Sequence, residues 1–326
     1  MTVKTMANST YELTILSQDA TALTNEIDAQ LNASEVRDDL RIVQVASHVD
    51  EVCTEDISLL LAAPDLAARV VPECRQLKWC QSTWAGNRRL LALNKQDYLL
   101  TGVKGIFGSL MREYVFAYLL QYARNVQTFA KHQASQPPIW EASPRLPLNG
   151  KVLGIAGIGS IGQALIPVAL SFGMRVIGLS RSGQAIEGVE HVFTPEQRIT
   201  FAKRCDHIVN LMPDTEETTG LLDRDFFAAL PRHSVFINAG RGNAVKDDDL
   251  LTSMNDGRPA FAVLDVFRQE PLPSNHPFWH HPNIAVTSHT AAESTPYDVA
   301  QVFVDNFIRL KNGLPLRYQF DFSKGY

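Results

Sequence analysis

A glycine-rich turn, Gly157-Ile158-Gly159-Ser160-Ile161-Gly162, follows the apolar residues 152–156 and precedes a helical pattern over residues 163–172. A G-x-G-x-x-G string between a strand and a helix is typical of a dinucleotide site. The first glycine allows the tight turn, the second lets a pyrophosphate approach the backbone, and the third lets the helix pack on the strand. We therefore predict that free N–H groups near Ser160 and Ile161 hold the diphosphate of a nucleotide cofactor.

Strands and helices alternate on both sides of this turn, which predicts an α/β fold with parallel sheets covered on both faces. Predicted strands lie at residues 13–16, 41–45, 58–61, 78–81, 151–156, 175–179, 191–193, 206–212, 234–238, 260–265 and 284–287. Predicted helices lie at residues 20–31, 64–71, 106–131, 163–172 and 294–311. A chain of 326 residues is expected to form two domains. Pro167 lies inside a predicted helix, where a proline costs about 3 kcal/mol or kinks the helix.

Composition excludes several classes of protein. Hydrophobic residues make up 45% and charged residues 20% of the chain, which is typical of a globular protein with a buried core. The net charge of −5 argues against a nucleic-acid partner, which would require a basic excess. No apolar run approaches the roughly 18 residues that span a bilayer, and residues 1–19 lack the apolar core of a signal peptide. We therefore expect a cytoplasmic protein with no membrane partner.

The sequence gives no reason to expect a bound metal. The four cysteines, Cys53, Cys74, Cys80 and Cys205, have no zinc-binding spacing and are expected to be reduced thiols. The adjacent pair His280-His281 lacks further ligands at a suitable spacing and is expected to lie in a surface loop.

The end of the second strand after the turn bears on the choice of cofactor. NAD-binding units usually place Asp or Glu there to bind the ribose hydroxyls, but residues 163–186 contain no acidic residue, and this strand ends in Ser180-Arg181-Ser182. A guanidinium and two hydroxyls would bind a 2′-phosphate, which a carboxylate would repel. We therefore predict a preference for NADP(H) over NAD(H). The alternative is a solvated arginine that confers no preference.

Three later strands are each followed by a charged or ionisable side chain. Arg241 follows the first of these strands, Glu270 the second and His289 the third. Ligands of open parallel sheets bind beyond the carboxyl ends of the strands. We therefore expect these three side chains to converge on one site, although a lone histidine is more often a structural residue.

The three side chains fit the reduction of a carbonyl group by hydride. The imidazole of His289 is suited to give the proton that the developing alkoxide needs. Glu270 beside it would favour the charged imidazole and fix its orientation. Arg241 would bind a substrate carboxylate and polarise the carbonyl. Asp265 is expected to bind the nicotinamide end of the cofactor.

On these motifs the chain resembles the D-isomer-specific 2-hydroxyacid dehydrogenase family, and within it most resembles the glyoxylate/hydroxypyruvate reductase A type. The resemblance covers nearly the whole chain and rests on residues 157–162, 211–215, 238–242, 265–273 and 288–292 and on the ending Lys324-Gly325-Tyr326. It implies the same roles for the arginine, glutamate and histidine. It also implies that the cofactor site includes Leu211, Pro213 and Ala239.

The resemblance assigns a further loop to the substrate. Residues 82–87 match the family loop whose backbone N–H groups bind the substrate carboxylate. This implies that role for Ala85 and Gly86. Trp84 would line the substrate pocket, and simple packing is an equal alternative for this side chain.

The family resemblance also implies a discontinuous domain organisation with two Rossmann-like or flavodoxin-like parallel-sheet domains. Residues 1–100 and 293–326 would form the substrate (catalytic) domain, and residues 101–292 the dinucleotide-binding domain. The active-site cleft would lie between the domains, which would close over the substrate. In this family the helix at 106–131 is used for pairing, which implies a homodimer held by Phe107, Tyr114, Phe116 and Tyr118.

Three features depart from the family pattern. Ser288 stands where proline is usual before the histidine, and Gly240 stands where alanine or serine is usual. Both changes could loosen the turns that carry the functional side chains. Relatives that prefer NADPH often have a second basic residue after the position of Arg181, whereas Ser182-Gly183-Gln184 follow here.

The leading hypothesis is an NADPH-dependent reductase of small 2-oxo acids, with glyoxylate and hydroxypyruvate as the first substrates to consider. An NAD-dependent D-2-hydroxyacid dehydrogenase of the D-lactate or phosphoglycerate type is the alternative within the family. Formate dehydrogenases place glutamine where Glu270 stands, which argues against that activity. A dinucleotide-sensing binding protein is the alternative outside catalysis, and turnover of a 2-oxo acid would discriminate against it.

Overall fold

The computed structural model describes residues 10–32, 34–144 and 146–323. The ending Lys324-Gly325-Tyr326, which contributes to the family resemblance, lies outside the described residues, as do residues 1–9 of the polar segment 1–19. The chain divides into two compact units, one of Met1–Ile106 with Ser294–Tyr326 and the other of Phe107–Glu293. The sequence-based boundaries lay at residues 100 and 292. The proline-rich stretch 133–150 falls inside the second unit.

Helices and strands alternate along the chain. The strands are β1 (Tyr11–Leu16), β2 (Leu40–Ala46), β3 (Leu59–Ala62), β4 (Trp79–Ser82), β5 (Leu99–Thr101), β6 (Val152–Ala156), β7 (Arg175–Leu179), β8 (His191–Phe193), β9 (His207–Asn210), β10 (Val235–Asn238), β11 (Phe261–Leu264) and β12 (Ile284–Val286). The α-helices are α1 (Ala20–Asn32), α2 (Pro64–Val70), α3 (Arg88–Leu91), α4 (Gly108–Ala123), α5 (Val126–Ala134), α6 (Ser160–Ser171), α7 (Arg198–Arg204), α8 (Arg224–Ala228), α9 (Asp247–Asn255) and α10 (Pro296–Lys311).

The first unit is built on a parallel sheet with the strand order β2-β1-β3-β4-β5. This order is that of flavodoxin-like folds. Trp79 of β4 anchors α10 to the sheet, because its indole stacks on Phe303 with ring centroids 5.1 Å apart. The indole N–H donates to the Thr101 hydroxyl at 2.7 Å, so this buried polar group is satisfied.

The second unit contains a seven-stranded parallel sheet with the order β12-β11-β10-β9-β6-β7-β8. The chain runs outward from β6 through β7 to β8 and then returns to β9, so the order reverses beside β6. Ligands of doubly wound sheets bind at such a switch point, and the glycine-rich turn follows β6. The prediction of an α/β fold with two parallel sheets is confirmed.

Both faces of the second sheet are covered by apolar side chains. Leu153 and Ile155 of β6 pack with Leu119 of α4 on one face, whereas Val152 and Ala156 belong to the core on the other face. Side chains alternate between the two faces of a strand. The burial pattern of β6 is therefore that of a central parallel strand.

The structure differs from the predicted secondary structure at one helix and at one strand. The helix expected at 106–131 is interrupted, because Asn125 adopts a left-handed conformation with φ of 53° between α4 and α5. Asparagine tolerates this conformation, and its side-chain amide donates to the Pro144 carbonyl. Strand β5 was missed, because its three residues are too few to show a periodic pattern.

Pro167 does lie inside α6, and its exposure accounts for its tolerance. A proline in a helix leaves the carbonyl four residues earlier without an N–H donor. That residue is Gln163, which is also exposed, so water can satisfy the carbonyl.

No helix in residues 10–32, 34–144 and 146–323 is long and apolar enough to cross a membrane. The same described residues contain no cluster of three or more metal-binding side chains.

Candidate active site

The three glycines of the turn after β6 have different surroundings. Gly157 has φ of +86°, and a Cβ there would lie 2.6 Å from the backbone of Leu211 and Met212. A Cβ on Gly162 would lie 2.9 Å from the Gly157 carbonyl oxygen. By contrast, no described atom lies within 4 Å of a Cβ built on Gly159. The space at Gly159 is therefore open to a ligand rather than occupied by the protein.

Among the described residues, nothing accepts a hydrogen bond from the first N–H groups of α6. Gly159 is the N-cap residue and has no side chain to cap the helix. The first intrahelical bond runs from the Gln163 N–H to the Gly159 carbonyl at 2.8 Å, which leaves the N–H groups of Ser160 and Ile161 for another acceptor. Such an end binds anions through its N–H groups and the helix dipole. The open turn and the free donors fit the diphosphate of a dinucleotide.

The ends of the neighbouring strands are tied closely to this turn. The Leu211 N–H donates to the Ala156 carbonyl at 2.7 Å, and the Ala239 N–H donates to the Asn210 carbonyl at 3.1 Å. A Cβ on Gly240 would lie 2.8 Å from the Leu211 backbone. The alanine or serine usual at this position would therefore collide, and the glycine gives close packing here rather than a loose turn. Pro213 lies exposed two residues beyond Leu211.

The turn after β7 carries the predicted phosphate-binding group. Ser180 Oγ accepts the Gly183 N–H, and Ser182 Oγ accepts the Gln184 N–H, both at 3.3 Å. Each hydroxyl still has its own proton to donate. Arg181 between them is exposed. The pKa of Glu217 is lowered by a hydrogen bond to its own backbone N–H, by a hydrogen bond to Thr215 and by the positive charge of Arg181.

His289 and Glu270 form a hydrogen-bonded pair with Nδ1 2.8 Å from Oε2. The other carboxylate oxygen of Glu270 accepts the Phe267 N–H at 2.8 Å. Partial burial would raise the pKa of Glu270, but these hydrogen bonds and the charges of His289 and Arg241 hold it below its usual value. Since Nδ1 faces the carboxylate, Nε2 is the ring nitrogen left to meet a substrate.

The His289 turn is strained and firmly held. His289 has φ of 59°, a conformation that costs a residue with a side chain about 1 kcal/mol or more. Its N–H donates to the Asp265 carbonyl at 2.8 Å. The Asp265 side chain, only 1% exposed, accepts the Thr287 hydroxyl and the N–H groups of Thr290 and Ala291. The structure thus uses Asp265 to anchor this turn; its predicted contact with a nicotinamide ring stays a prediction.

Arg241 is brought to the same edge of the sheet by a close contact between two loops. A Cβ on Gly242 would lie 2.0 Å from the backbone carbon of Phe267, so only glycine lets the loop after β10 touch the loop after β11. Burial lowers the pKa of Arg241, while Glu270 and Asp214 oppose this effect. Arg241, Glu270 and His289 follow the adjacent strands β10, β11 and β12, and the charges of Arg241 and His289 both lower the pKa of Glu270.

The predicted substrate loop lies in the first unit, after β4. The Asn87 amide, 2% exposed, donates to the carbonyls of Trp84 and Ala85 at 3.2 and 3.5 Å. Within the described part of the chain, the N–H groups of Ala85 and Gly86 have no hydrogen-bond acceptor. Two consecutive free N–H groups can bind an anion. The Trp84 side chain is 52% exposed.

The sequence did not predict that two further residues belong to the site. Thr287 and Tyr114 are linked to Asp265 through their hydroxyls. Hydroxyl side chains on a helix and after a strand carry no sequence pattern that would have predicted this contact.

The family model that matches this chain is described as the D-isomer specific 2-hydroxyacid dehydrogenase, NAD binding domain, and covers residues 116–291. A glyoxylate/hydroxypyruvate reductase A from Serratia proteamaculans is 36% identical over 203 residues. That match covers 62% of this chain and 64% of the relative.

Two solved structures extend the similarity over nearly the whole chain. A D-isomer specific 2-hydroxyacid dehydrogenase family protein from Aeromonas salmonicida is 38% identical with a TM-score of 0.89, covering 96% of this chain and 100% of that one. An NADPH-dependent glyoxylate/hydroxypyruvate reductase from Sinorhizobium meliloti, solved with NADP and sulfate, is 29% identical with a TM-score of 0.80, covering 98% of this chain and 100% of that one. The resemblance inferred from the sequence is confirmed.

Proposed function

Because the chain belongs to the D-isomer-specific 2-hydroxyacid dehydrogenase family, we propose that it reduces small 2-oxo acids to 2-hydroxy acids with NADPH, and that glyoxylate and hydroxypyruvate are its first substrates. The observation that carries this proposal is the His289–Glu270 pair at 2.8 Å, beside Arg241, at the carboxyl edge of a dinucleotide-binding sheet. The names of the relatives from Serratia proteamaculans and Sinorhizobium meliloti support the choice of substrates.

The cofactor site is proposed at the turn after β6 and the turn after β7. The N–H groups of Ser160 and Ile161 would bind the diphosphate, and the open space at Gly159 would admit it. Arg181, with the hydroxyls of Ser180 and Ser182, would bind the 2′-phosphate that distinguishes NADPH. The other residues proposed to contact the cofactor are Gly157, Gly162, Leu211, Pro213, Ala239 and Asp265.

The reaction needs a hydride, which bound NADPH supplies to the carbonyl carbon. His289 gives the proton from Nε2 to the carbonyl oxygen as negative charge develops there. Glu270 stabilises the charged imidazole and holds the ring by its bond to Nδ1. Arg241 binds the substrate carboxylate and polarises the carbonyl. In the reverse direction the same imidazole takes the proton back.

The first unit is proposed as the substrate domain and the second as the dinucleotide domain. In the first unit, the free N–H groups of Ala85 and Gly86 would bind the substrate carboxylate, and Trp84 would line the substrate pocket.

We propose a cytoplasmic homodimer, but not one held by all four aromatic residues of the predicted helix. Phe107 and Phe116 are buried, and the Tyr114 hydroxyl is bonded to Thr287. The two phenylalanine rings and the Tyr114 hydroxyl are therefore not available to a second chain. Light scattering is expected to give twice the chain mass of 36.2 kDa; the mass of one chain would contradict the dimer.

The decisive experiment is a matrix of 2-oxo acids against NADPH and NADH, with Arg181→Asp as the cofactor variant. We expect turnover of glyoxylate and hydroxypyruvate with NADPH. Arg181→Asp should shift the ratio of kcat/KM toward NADH by about tenfold or more, because a carboxylate repels the 2′-phosphate. Arg224→Asp, at an exposed helix end, is the matched control.

Each negative result in this matrix has a distinct meaning. Unchanged selectivity in Arg181→Asp would contradict the phosphate role. Reduction of the 2-oxo acids that correspond to D-lactate or phosphoglycerate, with NADH alone, would favour the alternative enzyme. Binding of a dinucleotide with no turnover across the panel would favour a sensing protein.

A further inference from the structure

A chain of hydrogen bonds joins helix α4 to the turn that carries His289. The Tyr114 hydroxyl lies 2.8 Å from the Thr287 hydroxyl, and Thr287 donates to Asp265 Oδ1 at 2.5 Å. The Asp265 carboxylate also accepts the N–H groups of Thr290 at 2.9 Å and Ala291 at 3.0 Å. All of these residues belong to the second unit.

The direction of these hydrogen bonds follows from the number of protons. The Thr287 hydroxyl has a single proton, and it donates this proton to the carboxylate of Asp265, which can only accept. The Tyr114 hydroxyl must therefore be the donor to Thr287. Burial raises the pKa of Tyr114 above its usual value, so the phenol keeps the proton that it donates. The chain thus runs in one direction, from Tyr114 to Asp265.

These contacts hold the backbone on both sides of His289. Thr287 precedes the histidine, Ala291 follows it, and both are bound to one carboxylate. The His289 N–H is bound to the carbonyl of the same aspartate. A left-handed residue with a side chain persists only where its surroundings determine its conformation. The conformation of His289 therefore depends on Asp265 and on the groups that hold Asp265.

We infer that Tyr114 and Thr287 are positioning residues for the reductase reaction, since their hydroxyls fix the turn that presents His289 to Glu270. The inference rests on the proposed function. Neither hydroxyl contacts the imidazole; both act through Asp265 and the backbone of the turn. Loss of either hydroxyl would let the imidazole leave its aligned position, which lowers the rate of the chemical step more than it lowers binding.

The same helix offers a matched control for Tyr114. The Tyr118 ring packs edge-on against the Tyr114 ring, with centroids 4.9 Å apart, and both rings are half-buried. Among the described residues, the Tyr118 hydroxyl makes no hydrogen bond. Tyr118→Phe therefore removes a hydroxyl from the same environment without breaking the chain to Asp265.

The test compares steady-state kinetics of the full chain and its variants with glyoxylate and NADPH. Tyr114→Phe and Thr287→Val should each lower kcat about 3- to 10-fold, which corresponds to the loss of one buried hydrogen bond. KM for both substrates should stay within about twofold. Thr287→Ser should recover most of the kcat lost in Thr287→Val, and Tyr118→Phe should match the wild type. The double variant Tyr114→Phe/Thr287→Val should be no slower than the slower single variant, because both remove the same chain.

Hydrogen–deuterium exchange gives a second readout that does not need turnover. The peptide spanning residues 285–293 contains the N–H groups bound by Asp265. Its exchange should be faster in Tyr114→Phe than in the wild type and in Tyr118→Phe.

Unchanged kcat in Tyr114→Phe and Thr287→Val would overturn the inference, as would losses that multiply in the double variant. An exchange rate that is the same in Tyr114→Phe and the wild type would also overturn it. Absence of turnover by the wild type on every 2-oxo acid contradicts the proposed function instead, and the exchange rate then decides whether the chain holds the turn.

Discussion

At the scale of single residues, His289 combines an unfavourable backbone conformation with a well-determined side chain. Its φ of 59° is held by the Asp265 carbonyl, and its Nδ1 is held by Glu270. With both ends fixed, the imidazole has one free nitrogen and one orientation. Such pre-organisation is what a proton donor needs, because little has to be reordered when the substrate arrives.

Replacing the imidazole should therefore slow the chemical step. We expect His289→Ala to lower kcat about 100-fold or more, as loss of a positioned general acid does. His280→Ala is the control, because His280 is exposed and lies in a short helix after β11. Stopped-flow measurement of NADPH oxidation would separate hydride transfer from product release. A near-normal rate in His289→Ala would mean that another group supplies the proton.

At the scale of elements, the turn after β6 shows that one motif can contain glycines with different tasks. Gly157 and Gly162 make room for the protein's own backbone, whereas Gly159 faces open space. The fold therefore requires glycine at positions 157 and 162, whereas only a ligand would require it at position 159. This division matches the roles that the motif predicts for its first, second and third glycines.

This difference predicts opposite results for two alanine variants. Gly159→Ala should leave Tm almost unchanged, because its φ of −78° suits any residue and its Cβ meets no protein atom. It should raise the Kd for NADPH about tenfold, since the Cβ enters the space of the pyrophosphate. Gly157→Ala should instead destabilise the fold, because its Cβ would lie 2.6 Å from backbone atoms. Calorimetry and fluorescence titration check the pair; equal NADPH binding by Gly159→Ala and the wild type would place the diphosphate elsewhere.

The elements show how far sequence reasoning reaches. Central strands such as β6 were predictable because they are short apolar runs bounded by turn residues. The break at Asn125 was not, because a single residue in a left-handed conformation leaves the helical periodicity around it intact. The three side chains that follow β10, β11 and β12 were predictable because parallel strands end at one edge. The Tyr114–Thr287 contact was not, because it joins residues 173 positions apart that share no pattern.

At the scale of the whole molecule, stability is coupled to pH through a histidine inside the second sheet. His207 begins β9 and is only 3% exposed. Burial lowers its pKa from 6.5 to about 4, and its Nδ1 has no partner among the described residues. The folded chain thus keeps this imidazole neutral under conditions in which the unfolded chain protonates it.

Stability should therefore fall as the pH drops below about 6.5 and continue to fall until about pH 4, where the folded form also takes up the proton. Over this pH range the free energy of unfolding should fall by about 3 kcal/mol in total. In the wild type, Tm should be lower at about pH 5 than at about pH 7.5. His207→Leu should make this drop in Tm smaller by several degrees, for a unit of this size. His280→Leu, at an exposed position, should not. Scanning calorimetry at both pH values checks this; an undiminished difference in His207→Leu would assign the pH dependence to other groups.

The packing of Gly240 against the backbone of Leu211 and Met212 has a consequence for exchanging parts between relatives. A loop from a relative with alanine at position 240 brings a methyl group into space that the backbone of Leu211 and Met212 occupies in this chain. Grafting that loop alone should therefore yield a hybrid with a lower Tm, and grafting it together with the segment around residue 211 should restore the Tm. Homologous recombination within this family should accordingly preserve the two segments as a linked block.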